Sequence, residues 1–128
     1  MGFTVLSIED EAEITELLGA VLDGASLRVV TAVTATEGLE LLNTFHPDLI
    51  LLDIMLPDMD GWSVYDAIRD DPDPDVSRLP IVILTALRRE FQARRTFRET
   101  PHDFYVTKPF DTLELRTKIE QMLGQHLW

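Results

Sequence analysis

Apolar residues are concentrated in short runs along the chain, separated by polar segments or by segments that contain glycine and proline. Apolar runs of about four to eight residues with such boundaries predict strands that are buried on both faces, as in parallel sheets. The predicted strands are FTVLSI (3–8), LRVVTAV (27–33), LILL (49–52), IVIL (81–84) and FYVT (104–107).

The segments that follow the strands carry apolar residues at the spacing of amphipathic helices. Thr34 with Glu37, and Asp111 with Glu114, also have the spacing of capping boxes, which mark helix starts. The apolar stripes of four predicted helices are Ile14, Leu17, Leu18, Val21 and Leu22; Leu39, Leu42 and Phe45; Trp62, Tyr65 and Ile68; and Leu115, Ile119, Met122 and Leu123.

Two further segments are less regular. LRREFQARRTFRE (87–99) predicts a helix with a thin apolar face, in which Phe91 and Phe97 are the large apolar candidates. Its arginines suit a solvated helix face or docking to an acidic partner, and they are Arg88, Arg89, Arg94, Arg95 and Arg98. RDDPDPDVSRLP (69–80) is acidic and rich in proline, so it predicts a loop.

Five predicted strands therefore alternate with five predicted helices. This alternation favours right-handed βαβ units and an α/β fold, with a single doubly wound five-stranded parallel sheet and helices on both of its faces. A chain of 128 residues is long enough to bury one core, so we expect one domain over residues 1–128.

Composition narrows the classes of function. The formal net charge of −12 argues against direct nucleic-acid binding by this domain, because a polyanion needs a basic surface. No apolar stretch reaches the length of a membrane span, so we expect no membrane partner. The chain has no cysteine and no recognisable leader segment, and we therefore expect a cytoplasmic location.

Polar residues that can carry chemistry stand directly after four of the predicted strands. They are Glu9 and Asp10, Asp53, Thr85, and Lys108. Each alone has a simpler explanation, such as an acidic helix start or a solvated cation. The carboxyl ends of parallel strands, however, share one edge of the sheet, where open α/β sheets bind their ligands. We therefore expect these side chains to form one site.

The chemistry of such a site would be phosphoryl transfer. Three neighbouring carboxylates repel one another unless a cation neutralises them, and Mg²⁺ is the cation that best suits an all-oxygen site. A lysine and a hydroxyl opposite the metal would bind phosphoryl oxygens. Attack by a carboxylate on phosphorus would then give an aspartyl phosphate.

The order and spacing of these residues resemble the receiver domain of two-component response regulators, the CheY-like domains, over essentially the whole chain. The matching segments are the pair Glu9 and Asp10, LILLDIMLPDMDG (49–61), ILTA (83–86) and YVTKPF (105–110). The resemblance implies a flavodoxin-like fold and a phosphorylation-dependent signalling switch. Such a domain is not an enzyme in the usual sense, because it catalyses only its own phosphorylation and dephosphorylation.

The resemblance also implies a role for each matching residue. Asp53 would be the phosphoacceptor. Asp10 and Asp53 would bind Mg²⁺ directly, Glu9 would bind it through water, and the backbone carbonyl of Met55 would be a further ligand. Lys108 would pair with the acceptor and then with the phosphoryl group.

Further expectations from the resemblance concern the switch and its partners. Thr85 would hydrogen-bond the phosphoryl group, and the Lys108–Pro109 peptide would be cis. Tyr105 is at the position of an aromatic switch residue, although an ordinary strand aromatic is an equal alternative. A sensor histidine kinase or a histidine phosphotransfer protein would donate the phosphoryl group to control an unidentified effector domain or protein. The domain could also form a phosphorylation-linked homodimer.

Other functions share parts of this pattern. Phosphatases of the haloacid-dehalogenase type also use an aspartate after a strand, but they need a second carboxylate two residues later, where this chain has Met55. Flavin-binding flavodoxin-like domains need a hydroxyl- and glycine-rich phosphate loop, where this chain has SIEDEAE (7–13). A receiver fold kept only as a phosphorylation-independent interaction module would be expected to lack an active-site residue, and none of the set is missing.

Overall fold

The strands form the parallel sheet that the sequence predicts. The computed structural model describes residues 2–24, 26–85 and 99–128. The strands are β1 (Phe3–Ile8), β2 (Leu27–Ala32), β3 (Leu49–Asp53), β4 (Ile81–Thr85) and β5 (Asp103–Thr107). Their order in the sheet is β2-β1-β3-β4-β5, and all neighbouring pairs are parallel.

The helices in the described residues are α1 (Ala12–Leu22), α2 (Ala35–Phe45), α3 (Gly61–Arg69), α4 (Pro74–Ser77) and α5 (Thr112–Leu123). Thr34 Oγ1 accepts a hydrogen bond from Glu37 N at 3.1 Å, and Asp111 Oδ1 accepts two from the first turn of α5 at 2.8 and 3.0 Å. Both predicted helix starts are thus confirmed. The predicted helix over 87–99, with its arginines, lies outside the described residues apart from Glu99. Within the part of the chain that the structure describes, no helix combines the length and apolar character needed to cross a membrane.

The predicted loop over 69–80 was wrong at one point, because it contains the single helical turn of α4. Pro74 stands in the first turn, and Asp73 Oδ1 accepts a hydrogen bond from Asp75 N at 2.9 Å. Aspartate before a helix and proline at its first position both favour a helix start. These local signals outweigh the acidic, proline-rich composition on which the loop prediction was based.

Helices cover both faces of the sheet, which makes it doubly wound. Successive side chains of a strand point to opposite faces, so each strand contributes to two core layers. The strand residues buried against α2 and α3 are Leu6, Ile8, Ala32, Ile50, Leu52, Ile81 and Ile83. Those buried against α1 and α5 are Val5, Leu27, Leu49, Leu51, Val82, Leu84 and Val106. This burial on two sides explains why the strands are continuous apolar runs in the sequence.

Helix α2 lies close against β1 at Gly38. A Cβ atom on Gly38 would lie 2.5 Å from Cδ1 and 2.8 Å from Cγ1 of Ile8. Ile8 is fully buried at the last position of β1, so its side chain has little room to move away. The glycine therefore allows the close approach of α2 to the strand end that precedes Glu9.

Arg69, the last residue of α3, joins several segments at the amino-terminal edge of the sheet. Its guanidinium donates hydrogen bonds to the carbonyls of Ser77, Leu79 and His102 at 3.0, 2.7 and 3.0 Å. It also donates to Asp103 Oδ1 at 2.6 Å. Burial alone raises the pKa of Asp103, but hydrogen bonds from Arg69 and two neighbouring hydroxyls outweigh it and lower this pKa. Arg69 thus connects α3 with α4, with the segment before β4, and with β5.

Candidate functional site

The polar residues that follow the predicted strands come together at the carboxyl edge of the sheet. Asp53 and Thr85 are the last residues of β3 and β4, Glu9 and Asp10 directly follow β1, and Lys108 directly follows β5. Strand β3 lies between β1 and β4, so Asp53 occupies the middle of the group. Glu9, Asp10 and Asp53 each place one carboxylate oxygen within 4.8 Å of the others.

Lys108 lies among these acids. Its Nζ donates a hydrogen bond to Glu9 Oε1, and it lies 3.3 Å from Glu11 Oε1 and 3.5 Å from Asp53 Oδ2. Lys108 was expected to pair with Asp53, but Glu9 is its closer partner. Glu11 was missed as a neighbour of the lysine, although it is the third acid in a row after β1.

The backbone around Lys108 joins it to the end of β4. Lys108 N donates a hydrogen bond to the carbonyl of Thr85 at 2.7 Å, and the Lys108–Pro109 peptide is cis, as predicted. Thr85 is buried beside the cluster. Tyr105 is half-buried opposite Ile83 on the neighbouring strand. These positions suit the switch roles assigned to Thr85 and Tyr105, which stay predictions.

The pKa of Glu9 reflects its burial and its charged neighbours. Burial, followed by the adjacent carboxyl of Asp53, raises the pKa of Glu9 from 4.5 to about 8, despite the opposing effect of Lys108. Burial lowers the pKa of Lys108, but Glu9 and Asp53 outweigh it, so that this pKa is raised. Burial and the adjacent acid thus disfavour the ionised form of Glu9, and a bound cation would favour it.

The donor atoms fit a hard divalent cation such as Mg²⁺. They are carboxylate oxygens, which Mg²⁺ prefers, and they converge from two adjacent strands. Glu9 Oε2 is buried and receives no hydrogen bond from any residue that the structure describes, so this oxygen remains available to a cation or its water. Met55 N donates to Asp53 Oδ1 at 3.0 Å, which places the Met55 backbone beside the Asp53 carboxylate. The Met55 carbonyl as a ligand stays a prediction.

The loop after Asp53 folds back tightly on the end of β3. Gly61 N donates a hydrogen bond to the carbonyl of Ile54 at 2.8 Å, and Met55 forms an antiparallel bridge with Asp60. A Cβ atom on Gly61 would overlap with the carbonyl oxygen of Asp53 and with Cα of Ile54. A glycine is therefore required where α3 begins, because backbone atoms of Asp53 and Ile54 fill the space of a side chain.

Comparison with known proteins agrees with this site. The sequence profile of the response regulator receiver domain matches residues 5–120. The chain is 42% identical over 122 residues to "Probable transcriptional regulator ycf27" from Guillardia theta, and 34% identical over 119 residues to "DNA-binding dual master transcriptional regulator RpaA" from Synechocystis sp.. Both matches cover 93% of this chain, but they cover 44% and 48% of those proteins, so the chain spans about half the length of these relatives.

A solved structure with a similar fold is the receiver domain of sensor histidine kinase PA1611 from Pseudomonas aeruginosa PAO1. It has a TM-score of 0.83 and 26% identity, and the match covers 98% of this chain and 100% of that one. That receiver domain has a magnesium ion coordinated in its active site cleft. Since the family profile matches residues 5–120, which is most of the sequence, the chain belongs to the response regulator receiver domain family.

Proposed function

We propose that this receiver domain is a magnesium-dependent switch that is set by phosphorylation of Asp53. The observation that supports the proposal is the cluster in which Glu9, Asp10 and Asp53 bring carboxylate oxygens within 4.8 Å of one another. Lys108 Nζ lies 3.5 Å from the Asp53 carboxylate in the same cluster. Oxygen ligands for a cation and a positive charge for a phosphoryl group are thus next to one nucleophile.

In the proposed reaction, a carboxylate oxygen of Asp53 attacks the phosphorus of a phosphohistidine. The new O–P bond forms while the P–N bond breaks, and the imidazole leaves with the electron pair of that bond. Bound Mg²⁺ would be held directly by Asp10, Asp53 and the Met55 carbonyl, and through water by Glu9. It would neutralise negative charge on the acceptor and on the phosphoryl oxygens.

The residues opposite the acids would then respond to the phosphoryl group. Lys108 would bind one phosphoryl oxygen, and the hydroxyl of Thr85 would donate a hydrogen bond to another. Because Thr85 and Lys108 end adjacent strands, their movement would change the surface around β5, where Tyr105 lies. The change in that surface is the proposed signal.

The proposed partners follow from the family and from the named relatives. A sensor histidine kinase or a histidine phosphotransfer protein would donate the phosphoryl group. The relatives are described as transcriptional regulators, one of them as DNA-binding, so we propose that the signal controls such an effector. Because this domain has a net charge of −12 and would repel a polyanion, we propose that the effector makes the contact with DNA. A single domain over 1–128, a phosphorylation-linked homodimer and a cytoplasmic location complete the proposal.

Phosphorylation by a small donor tests this function. Incubation with acetyl phosphate and Mg²⁺ should add the mass of one phosphoryl group to the wild type and none to Asp53→Asn, as measured by intact mass spectrometry. The exposed control variant Asp75→Asn should be labelled like the wild type, and a chelator should abolish labelling. Equal labelling of wild type and Asp53→Asn would rule out Asp53 as the acceptor. A wild type that takes up no label would favour the phosphorylation-independent interaction module.

A further inference from the structure

Asp58, in the loop between β3 and α3, forms hydrogen bonds with the amino end of α2. Its Oδ1 accepts a hydrogen bond from Ala35 N at 2.8 Å. Its Oδ2 accepts two from Thr36, one from the backbone N at 3.0 Å and one from Oγ1 at 2.8 Å. The hydrogen bond from Ala35 and those from Thr36 lower the pKa of Asp58, although the carboxylate is exposed. The amino end of a helix also favours a negative charge.

Asp58 and Thr34 bind different N–H groups at the start of α2. Thr34 Oγ1 accepts a hydrogen bond from Glu37 N at 3.1 Å, and Glu37 Oε1 accepts one from Val33 N at 2.9 Å. Thr34 thus satisfies the N–H group of Glu37, while Asp58 satisfies those of Ala35 and Thr36. The contacts of Asp58 therefore also link its loop to α2, because Thr36 and Ala35 are 22 and 23 residues away from Asp58 in the sequence.

The loop that Asp58 fastens is the one that carries the predicted backbone ligand. At its base, Met55 N donates to Asp53 Oδ1 and Gly61 N donates to the Ile54 carbonyl. Its tip is largely exposed, and an exposed segment keeps much conformational freedom unless a contact restrains it. Asp58 lies at this tip, so its three hydrogen bonds restrain the part of the loop that the contacts at the base do not reach.

The other end of the link is itself fixed relative to the acidic cluster. Gly38 brings α2 into direct contact with Ile8, and Glu9 is the next residue after Ile8. The amino end of α2 therefore keeps a set distance from the strand end that supplies Glu9 and Asp10. Through α2, Asp58 holds the loop in position relative to those two ligands.

We propose that Asp58 is a positioning residue for the magnesium site. It holds the loop between β3 and α3 against α2, so that the Met55 carbonyl and Asp53 stay in place for metal binding. This inference rests on the proposed function. Asp58 itself is not expected to touch the metal or the phosphoryl group. Without the link, a smaller fraction of molecules would hold the loop in the binding geometry. The apparent affinity for Mg²⁺ would fall in proportion to that fraction.

Isothermal titration of the full chain with Mg²⁺ tests the inference, with Asp58→Ala, Asp58→Asn and Thr34→Ala compared with the wild type. Asp58→Ala should bind Mg²⁺ about three- to tenfold more weakly, because the loop is released. Asp58→Asn should be intermediate, since its amide oxygen can still accept hydrogen bonds. Thr34→Ala removes a cap from the same helix without touching the loop. It should lower the thermal midpoint and leave the Mg²⁺ affinity unchanged.

The outcomes separate the link from the proposed function. Binding by Asp58→Ala as tight as that of the wild type overturns the positioning role, while phosphorylation of the wild type still supports the function. Equal weakening in Asp58→Ala and Thr34→Ala also overturns it, because the stability of α2 would then explain both. A wild type that binds no Mg²⁺ overturns both proposals. Melting curves without Mg²⁺ identify any variant that fails to fold, and Asp58→Asn replaces Asp58→Ala if needed.

Discussion

At the scale of single residues, Glu9 combines complete burial with acidic neighbours. Its side chain is 0% exposed, and burial followed by the carboxyl of Asp53 raises its pKa to about 8. In the absence of a cation, the folded protein therefore binds a proton at Glu9 near neutral pH. Because the proposed magnesium site needs Glu9 as a carboxylate, we predict that binding of Mg²⁺ competes with this proton.

The raised pKa predicts how the stability of the metal-free domain depends on pH. The folded state keeps the proton of Glu9 up to about pH 8, whereas the unfolded chain loses it near pH 4.5. The folded state thus binds more protons across this window, and stability must fall as the pH rises through it. Denaturant titrations in chelator between pH 5.5 and 8 should show this decline for the wild type.

Glu9→Gln provides the control for this prediction. Glutamine has nearly the shape of the protonated acid but does not titrate, so the decline over the same pH range should be smaller in the variant. A variant whose stability falls as steeply as that of the wild type would show that another group causes the pH dependence.

At the scale of elements, two glycines in helices have opposite environments. Gly38 of α2 packs on the buried Ile8, whereas a Cβ atom on Gly19 of α1 would have no atom within 4 Å. Alanine in a helix is favoured over glycine by about 1 kcal/mol, while overpacking a core costs about 1–3 kcal/mol. The same substitution should therefore have opposite signs at the two positions.

We expect Gly38→Ala to lower the free energy of unfolding by about 1 kcal/mol and Gly19→Ala to raise it by up to about 1 kcal/mol. Urea denaturation of the two variants and the wild type measures both changes. The contact of α2 with β1 would be looser than described here if Gly38→Ala proved as stable as Gly19→Ala.

The sequence predicted strands and helices correctly where the burial of their side chains produces a regular apolar pattern. Strands such as β3 and β4 are buried on both faces, so their apolar runs were sufficient evidence. Helix α4 was missed because its local signals are short and lie within an acidic, proline-rich segment. The contacts of Asp58 with α2 could not be predicted, because they depend on how a loop and a helix meet in three dimensions.

At the scale of the whole molecule, the acidic cluster and the net charge of −12 both oppose compaction when no cation is bound. Mg²⁺ should bind the folded state in preference to the unfolded chain, and at about 100 times its Kd it would stabilise the domain by about 2.7 kcal/mol. For a domain of this size, that corresponds to a rise of the thermal midpoint on the order of 10 °C.

Thermal unfolding with and without Mg²⁺ checks this prediction, and Asp10→Ala is the informative variant. Loss of one carboxylate should reduce repulsion in the metal-free protein and weaken the response to Mg²⁺. A Ca²⁺-free buffer in which Na⁺ replaces Mg²⁺ at the same ionic strength controls for general screening of the protein's charges. A midpoint of the wild type that does not respond to Mg²⁺ would argue against a metal site in this cluster.

The hydrogen bonds of Arg69 give the two ends of the sheet different mechanical properties. One end is cross-linked by a guanidinium that holds α3 to the segments before β4 and β5, while the other end carries mutually repelling charges. A displacement at the end that carries the acidic cluster should therefore be passed between neighbouring strands. It should become smaller toward the end that Arg69 cross-links. Amide hydrogen exchange should be slow at Ile81, which donates to the His102 carbonyl, and faster there in Arg69→Gln. Unchanged protection of Ile81 in that variant would mean that the sheet itself, and not Arg69, makes this end rigid.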